Sequence, residues 1–259
     1  MSLGARDFAW PEGITAVIFD MDGVVTDTAS VHAKAWKRLF DEYLERRAMR
    51  TNVTFVPFDP DGDYRRYIDG KARYDGVRDF LASRGSILPE GEPTDAPDAE
   101  TVCGLGNRKN GYFLDHVKEH GAVGYPSTIA LVERLRSAGV RTAIISASLN
   151  MSEVLEAAGV ADLFEIRVDG LIADDLELPG KPDAAVFLEA ARRLGVEPSR
   201  AAVVEDALAG VEAARRGGFA LVIGVDRAGH PDALSAAGAD LVVSDLGELE
   251  RPVHRGSRE

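Results

Sequence analysis

This sequence of 259 residues has a single cysteine, and its basic residues are outnumbered by acidic ones. The single cysteine, Cys103, excludes an internal disulfide bond, which favours a reducing compartment, and we expect a cytoplasmic protein. There are 30 Lys and Arg against 43 Asp and Glu, giving a net charge of −13. Nucleic acids and acidic membranes bind basic faces, so neither is expected as a partner. A small phosphate stays possible, because a cation and one or two lysines create a local positive site.

Long apolar runs are also missing. None of the runs is long enough to span a bilayer. Residues 1–11 lack the basic stretch and following apolar run of a signal peptide, so we expect none. Hydrophobic residues make up 45% of the chain, as in ordinary globular proteins, and no repeat is apparent. The length allows one sizeable domain or a core domain with a smaller one, and we expect a monomer.

Short β-rich apolar runs alternate with segments of helical periodicity along most of the chain. The predicted strands are 14–19, 140–145, 164–168, 201–204, 220–225 and 240–243. The predicted helices are 30–48, 74–83, 107–119, 127–138, 151–158, 183–194, 207–216 and 231–237. This alternation predicts an α/β fold, with a mainly parallel sheet covered by helices on both faces.

The segment from 30 to 121 contains no predicted strand. Within it, 52–63 and 86–99 are rich in proline, glycine or acidic residues and are predicted to be loops. We therefore predict a Rossmann-like core domain formed by 1–29 and 122–259. A helical cap domain, 30–121, is predicted to be inserted after the first strand.

Polar residues follow several of the predicted strands directly. In an open parallel sheet, ligands bind at the carboxyl ends of the strands, so these residues are candidates for one site. They are Asp20, Asp22 and Asp27 after the first strand, Ser146, Ser148 and Asn150 after the second, Lys181 after the third, and Glu205 with Asp206 after the fourth.

The order of these residues resembles the four motifs of the haloacid dehalogenase superfamily. Asp20-Met21-Asp22-Gly23 is similar to the first motif and Ser146 to the second. Lys181-Pro182 and Glu205-Asp206 resemble the third and fourth. The ordered set is far more specific than a lone D-x-D-G. The resemblance implies a Rossmann-like core with an inserted helical cap, and Mg²⁺-dependent phosphoryl transfer through an aspartyl-phosphate on Asp20.

Further residues resemble the β-phosphoglucomutase-like subfamily. That resemblance implies a small phosphorylated sugar as substrate, with β-glucose 1-phosphate and glucose 6-phosphate interconverted through a bisphosphate. The residues it marks as substrate-binding are Thr28, His32, Trp36, Gly70, Arg73, Lys109, Asn110, Ala147, Ser148 and Asn150. Leu149 departs from the pattern, because the subfamily has a lysine there, and this affects the substrate contacts expected from its loop.

The chemistry agrees with these motifs. A carboxylate is a competent nucleophile toward phosphorus, and Mg²⁺ prefers oxygen ligands. The expected ligands are the Asp20 and Asp206 carboxylates, the Asp22 carbonyl and a further or outer contact from Glu205. Lys181 and Ser146 are expected to hold the phosphoryl oxygens. Asp22, two residues beyond the nucleophile, is expected to act as general acid and base.

Other interpretations remain open at this stage. The nearest is a phosphatase of the same superfamily acting on a sugar phosphate, and a catalytically silent binding or regulatory module is a second. His32 could be structural, and Trp36 could belong to the core. Arg73 and Lys109 could be solvated surface residues. Asn150 could cap the next helix.

Overall fold

The computed structural model describes residues 10–249. They divide into two compact units, here called unit 1, which contains 10–27 and 122–249, and unit 2, Thr28–Gly121. In unit 1 the strands are β1 (Ala16–Asp20), β2 (Arg141–Ile145), β3 (Ile166–Val168), β4 (Ala201–Glu205), β5 (Leu221–Val225) and β6 (Leu241–Val243). Its helices are α5 (Pro126–Ser137), α6 (Met151–Ala157), α7 (Gly170–Asp175), α8 (Ala185–Leu194), α9 (Leu208–Arg216) and α10 (Pro231–Ala237).

The six strands form one parallel sheet in the order β3-β2-β1-β4-β5-β6. The chain thus extends the sheet from β1 in one direction, and then from β4 in the other. Where the direction reverses, between β1 and β4, an open α/β sheet has its ligand crevice at the carboxyl ends of the strands. This order confirms the predicted Rossmann-like α/β architecture.

The inner strands are buried on both faces. All five residues of β1, of β4 and of β5 are buried, which explains why they occur in the sequence as continuous apolar runs without alternation. One apolar cluster of unit 1 packs residues of these strands against Phe187 of α8 and Val211 of α9. Helices packed against the sheet therefore help to position the strand ends and the residues that follow them.

Unit 2 is helical in its described elements: α1 (Ala29–Thr51), α2 (Gly62–Tyr67), α3 (Arg73–Ser83) and α4 (Val102–His120). Its core contains a cluster of aromatic rings, in which Phe40 lies 4.1 Å from Phe80 and 5.3 Å from Phe58 between ring centroids. Trp36 stacks on Phe40 at 5.2 Å. Among the described helices of the whole chain, none is long and apolar enough to cross a membrane.

Three α-helices differ most from the prediction. Helices α2 and α7, of six residues each, were not predicted, because so short a segment shows little periodicity. Helix α4 begins at Val102 rather than 107, capped by Thr101, whose Oγ1 accepts a hydrogen bond from Gly104 N at 2.9 Å. A Cβ at Gly104 would lie 2.4 Å from the carbonyl oxygen of Ala99. Close packing therefore requires glycine at this position, although glycine is unfavourable in the interior of a helix.

Candidate active site

The predicted site residues of unit 1 lie at the carboxyl edge of the sheet. Asp20 is the last residue of β1, and Glu205 is the last residue of β4. Ser146 directly follows β2, and its N–H donates to Val168 O, at the end of β3, at 3.1 Å. Asp20, Ser146 and Glu205 therefore lie at one edge of the sheet, at the ends of the neighbouring strands β2, β1 and β4, and Ser146 is also bonded to the adjacent strand β3.

Lys181 connects two of these carboxylates. Its Nζ donates to Asp20 Oδ1 and to Glu205 Oε1, both at 2.6 Å. The side chains are nearly inaccessible, with exposures of 5% for Lys181, 8% for Asp20 and 0% for Glu205. The ammonium also lies 5.4 Å from the centroid of the Phe187 ring. The two carboxylates compensate the charge of the buried ammonium in place of water.

Burial raises the pKa of Asp20 well above its ordinary value, and the Glu205 charge adds to this while the Lys181 charge opposes it. For Lys181, burial alone would lower the pKa, but the charges of Asp20 and Glu205 outweigh it and raise the pKa. The lysine is therefore cationic at neutral pH. The carboxylate of Asp20 gains from any further positive charge placed beside it.

The carboxylate of Glu205 is engaged on both oxygens. Oε1 accepts from Lys181, and Oε2 accepts from the backbone N–H of Asp206 at 2.8 Å. Glu205 consequently orients both Lys181 and the start of the loop at Asp206. This arrangement agrees with an outer contact of Glu205 to the cation, rather than with a direct one.

The acidic residues of this edge can accommodate a metal ion. Ligand oxygens of Asp20, Glu205 and Asp206 all lie within 4.8 Å of one another, and such hard oxygen donors suit Mg²⁺. Gly23 packs directly against this group, since a Cβ at Gly23 would lie 1.8 Å from Asp206 Oδ2. Its φ of +85° also favours glycine. The donor set and the close approach of the backbone therefore fit a divalent cation.

A second chain of hydrogen bonds orients Asp22. Ser146 Oγ donates to Asp22 Oδ2 at 3.1 Å and accepts from Ser148 N at 3.0 Å. Ser148 Oγ accepts from Asn150 N at 3.1 Å. The loop after β2 is thus held by its own hydroxyls, with Ala147 within it. Asn150 is at the N-cap of α6, but its side chain makes no capping hydrogen bond.

In unit 2, the predicted residues His32 and Trp36 lie around the buried Lys109. Lys109, 4% exposed, contacts His32 Nδ1 through its Nζ. The same Nζ lies 5.0 Å from the Trp36 ring centroid and 5.1 Å from that of Phe113. His32 stacks on Phe113 with centroids 4.0 Å apart. Sequence analysis did not select Phe113, although it lies one turn after Lys109 on the same helix.

The remaining predicted residues of unit 2 lie in three places. Arg73, the first residue of α3, donates to Asn110 Oδ1 of α4 at 2.9 Å. Thr28 is buried at the N-cap of α1, and its carbonyl accepts from His32 N at 2.9 Å. Gly70 has a φ of +71° in the turn between α2 and α3. Arg73 is thus partly buried and bonded, rather than a solvated surface residue.

Sequence analysis also missed Tyr125 and Arg227 of unit 1. Arg227 lies two residues after β5, at the same edge of the sheet, and its Nε donates to Gly23 O at 2.8 Å. Its guanidinium carbon lies 3.8 Å from the centroid of the Tyr125 ring. The position after a predicted strand was the signal that could have identified this arginine.

The fold and the acid-lysine site agree with a family model. Residues 14–218 match the model described as haloacid dehalogenase-like hydrolase, which is most of the chain. This protein belongs to the haloacid dehalogenase-like hydrolase family, as its motifs predicted.

Within this family, the chain is similar to several β-phosphoglucomutases. The chain is 48% identical over 250 residues to the β-phosphoglucomutase of Mycobacterium bovis, an alignment that covers 95% of each protein. It is 33% identical over 235 residues to the β-phosphoglucomutase of Bacillus subtilis, covering 90% of this chain and 91% of that protein. The crystal structure of β-phosphoglucomutase from Clostridium difficile has a TM-score of 0.74 and 26% identity, covering 92% of this chain and 93% of that one.

Proposed function

We propose that this protein is a Mg²⁺-dependent β-phosphoglucomutase, which converts β-glucose 1-phosphate to glucose 6-phosphate through a phosphorylated Asp20. One observation carries the proposal: Lys181 Nζ lies 2.6 Å from both Asp20 and Glu205, beside the acidic group that includes Asp206. The near full-length similarity to a mutase of the family supports the substrate. We also propose that unit 1 is the catalytic core domain and unit 2 the cap domain.

The cation would be held by the carboxylates of Asp20 and Asp206 and by the backbone carbonyl of Asp22, with Glu205 orienting its neighbours from outside. When bound, it would neutralise charge on the phosphoryl oxygens and on the Asp20 carboxylate. The raised pKa of Asp20 supports this assignment, because a carboxylate disfavoured by burial gains most from a bound cation.

The chain's own residues account for the transfer. An Asp20 oxygen attacks phosphorus, a bond from Asp20 to phosphorus forms, and the bond from phosphorus to the sugar oxygen breaks. Asp22 gives the leaving oxygen its proton, and in the return step it takes a proton from the accepting sugar hydroxyl. Lys181 offsets the negative charge on the phosphoryl group. The Ser146 hydroxyl orients Asp22 by donating a hydrogen bond to the Oδ2 of Asp22.

A sugar bisphosphate connects the two halves of the reaction. The phosphoryl group of Asp20 passes to the 6-hydroxyl of β-glucose 1-phosphate, and the resulting bisphosphate returns its 1-phosphoryl group to Asp20. We propose that Arg73, Lys109, Asn110 and His32, with Thr28, Trp36 and Gly70 around them, recognise the sugar phosphate. Ala147, Ser148 and Asn150 are proposed to contact it from the loop after β2. We also still predict that the protein is located in the cytoplasm and is a monomer.

A sugar-phosphate phosphatase is the second candidate. It would use the same residues of unit 1, with water in place of the second sugar hydroxyl. Leu149 favours the phosphatase, because its side chain is apolar. It packs toward the start of α7, where a Cβ at Gly170 would lie 2.8 Å from Leu149 Cδ2. The loop thus lacks the lysine that the mutase-like subfamily has at this position.

Phosphorus NMR separates the two candidates. The full chain is incubated with Mg²⁺, β-glucose 1-phosphate and a trace of glucose 1,6-bisphosphate. We expect glucose 6-phosphate to accumulate without inorganic phosphate. Stoichiometric release of phosphate would instead identify a phosphatase. Asp20→Ala should abolish either reaction, and full activity of this variant would refute both candidates.

A further inference from the structure

The loop from Met21 to Thr26 is closed by its own backbone. Val25 N and Thr26 N both donate to Met21 O at 2.9 Å, and Gly23 N donates to Thr26 O at 2.8 Å. These bonds fix the amides of the turn that carries Asp22. The carbonyl of Gly23 points instead to a donor from another part of the sheet edge.

Arg227 is that donor. Its Nε donates to Gly23 O at 2.8 Å, and its Nη1 donates to Ser244 O, just after β6, at 3.3 Å. The side chain is 22% exposed, so most of it is enclosed by these contacts. One guanidinium therefore connects the loop after β1 with the carboxyl ends of β5 and β6, two and three strands away.

Tyr125 holds the plane of this guanidinium. The Tyr125 hydroxyl donates to Asp27 Oδ1 at 3.1 Å, and its backbone N–H donates to Val25 O at 2.9 Å. Burial raises the pKa of Tyr125 to about 12, although the charge of Arg227 opposes this. The phenol therefore stays protonated at the pH of any ordinary assay, and its hydrogen bond to Asp27 persists.

We propose that Arg227, stacked on Tyr125, is a positioning residue that sets the geometry of the cation site and of Asp22 through Gly23. The inference rests on the proposed function. Gly23 lies between the two groups concerned: it directly follows Asp22, and it packs against the carboxylate of Asp206. A small shift of the Gly23 backbone therefore moves the Asp22 carbonyl and the surroundings of Asp206 together.

Positioning and simple electrostatics predict opposite results for this residue. Arg227 places a positive charge on the sheet edge that carries the acidic group. Removing only its charge would strengthen cation binding, because one repulsive interaction disappears. If the bond to Gly23 holds the geometry of the site, its removal weakens cation binding in spite of the lost repulsion.

The test compares Mg²⁺ binding by calorimetric titration of the full chain without substrate. Arg227→Met removes the charge and the donor but keeps an unbranched side chain. We expect the dissociation constant for Mg²⁺ to rise about tenfold, the scale of lost contacts around metal ligands. We also expect faster hydrogen exchange at the amides of Val25 and Thr26, and a fall in kcat larger than the change in KM for the sugar phosphate.

Two further variants complete the design. Arg215→Met is the matched control, because Arg215 pairs with Asp240 at 3.3 Å at the far end of α9 and should leave Mg²⁺ binding unchanged. Arg227→Lys keeps the charge but not the flat guanidinium, and we expect an intermediate loss of about threefold on the same scale. This conservative variant also carries the test if Arg227→Met does not fold.

The outcomes separate the two proposals. Unchanged or tighter Mg²⁺ binding in both Arg227 variants, with normal amide exchange, would overturn the positioning role and leave the proposed function intact. If the unaltered protein neither binds Mg²⁺ nor turns over the sugar phosphate, the proposed function is wrong, and the role of Arg227 at a cation site is wrong with it.

Discussion

The buried lysines of the two units have different surroundings. Lys181 of unit 1 contacts the carboxylates of Asp20 and Glu205 at 2.6 Å. Lys109 of unit 2 contacts the imidazole of His32 and lies near the aromatic faces of Trp36 and Phe113. Both side chains are less than 10% exposed.

The difference suggests a division of labour between the units. Carboxylates around an ammonium create a site that stabilises changing charge, as phosphoryl transfer demands. Rings and an imidazole around an ammonium create a flat, partly apolar environment, which is suited to recognising a sugar. Four measurements test this comparison.

The largest expected effect is on turnover. Asp22→Asn removes the proposed general acid and base of unit 1 while keeping the size of the side chain. We expect kcat to fall by about 10²- to 10⁴-fold with a small change in KM. Asp232→Asn, in the first turn of α10, is the control and should behave like the unaltered protein. Near-normal turnover of Asp22→Asn would remove that residue from the chemistry.

The second effect is on stability without metal. Lys181→Met leaves Asp20 and Glu205 buried without their shared cation, and we expect a loss of about 3–5 kcal/mol in the free energy of unfolding. Lys109→Met replaces an ammonium that lies against rings by an apolar side chain, so we expect a loss of about 2 kcal/mol or less. Chemical denaturation of the metal-free proteins measures both. Equal losses would contradict the contrast between the two lysines.

The third effect is on substrate affinity. Arg73→Met removes a charge-assisted hydrogen-bond donor from unit 2. We expect KM for β-glucose 1-phosphate to rise by about 10- to 100-fold, with kcat changed much less. Arg78→Met is the matched control from the same helix, since Arg78 pairs with Asp75 and Glu90 at the surface. If kcat falls and KM does not change, recognition cannot be assigned to unit 2.

The smallest effect is on the pH dependence of stability. Because the folded-state pKa of Asp20 is raised, the stability linked to its proton is complete below the ordinary value of about 3.9 and is lost as the pH rises through the raised pKa. Without metal, the unaltered protein should therefore lose stability relative to Asp20→Asn as the pH rises above the ordinary carboxyl value, until Asp20 is ionised in the folded protein. Denaturant unfolding at several pH values measures this difference. A constant difference would show that Asp20 ionises normally.

Most of unit 1 could be predicted from the sequence, because its buried strands are continuous apolar runs and its site residues directly follow them. Asp20 and Glu205 are the last residues of their strands, so locating the strands also located the site. The contacts of Lys181 could be expected only from family resemblance, since its loop has no regular structure.

Unit 2 was less predictable. Its loops carry the short helix α2, and the glycines near the start of α4 concealed the first turn of that helix. The neighbours of Lys109 come from α1 and from α4, and no local pattern indicates which helix faces meet. Arg227 was missed for a similar reason: its partner, the Gly23 carbonyl, is a backbone atom 204 residues away in the chain.

Within residues 10–249, the outermost strands of the sheet are β3 and β6, which have three residues each, whereas the four between them have five. Edge strands this short offer another polypeptide few unpaired backbone groups to bind. Fibril-like stacking of one molecule on the next is thereby discouraged. Concentrated solutions of the folded protein should accordingly resist gelation and cross-β growth.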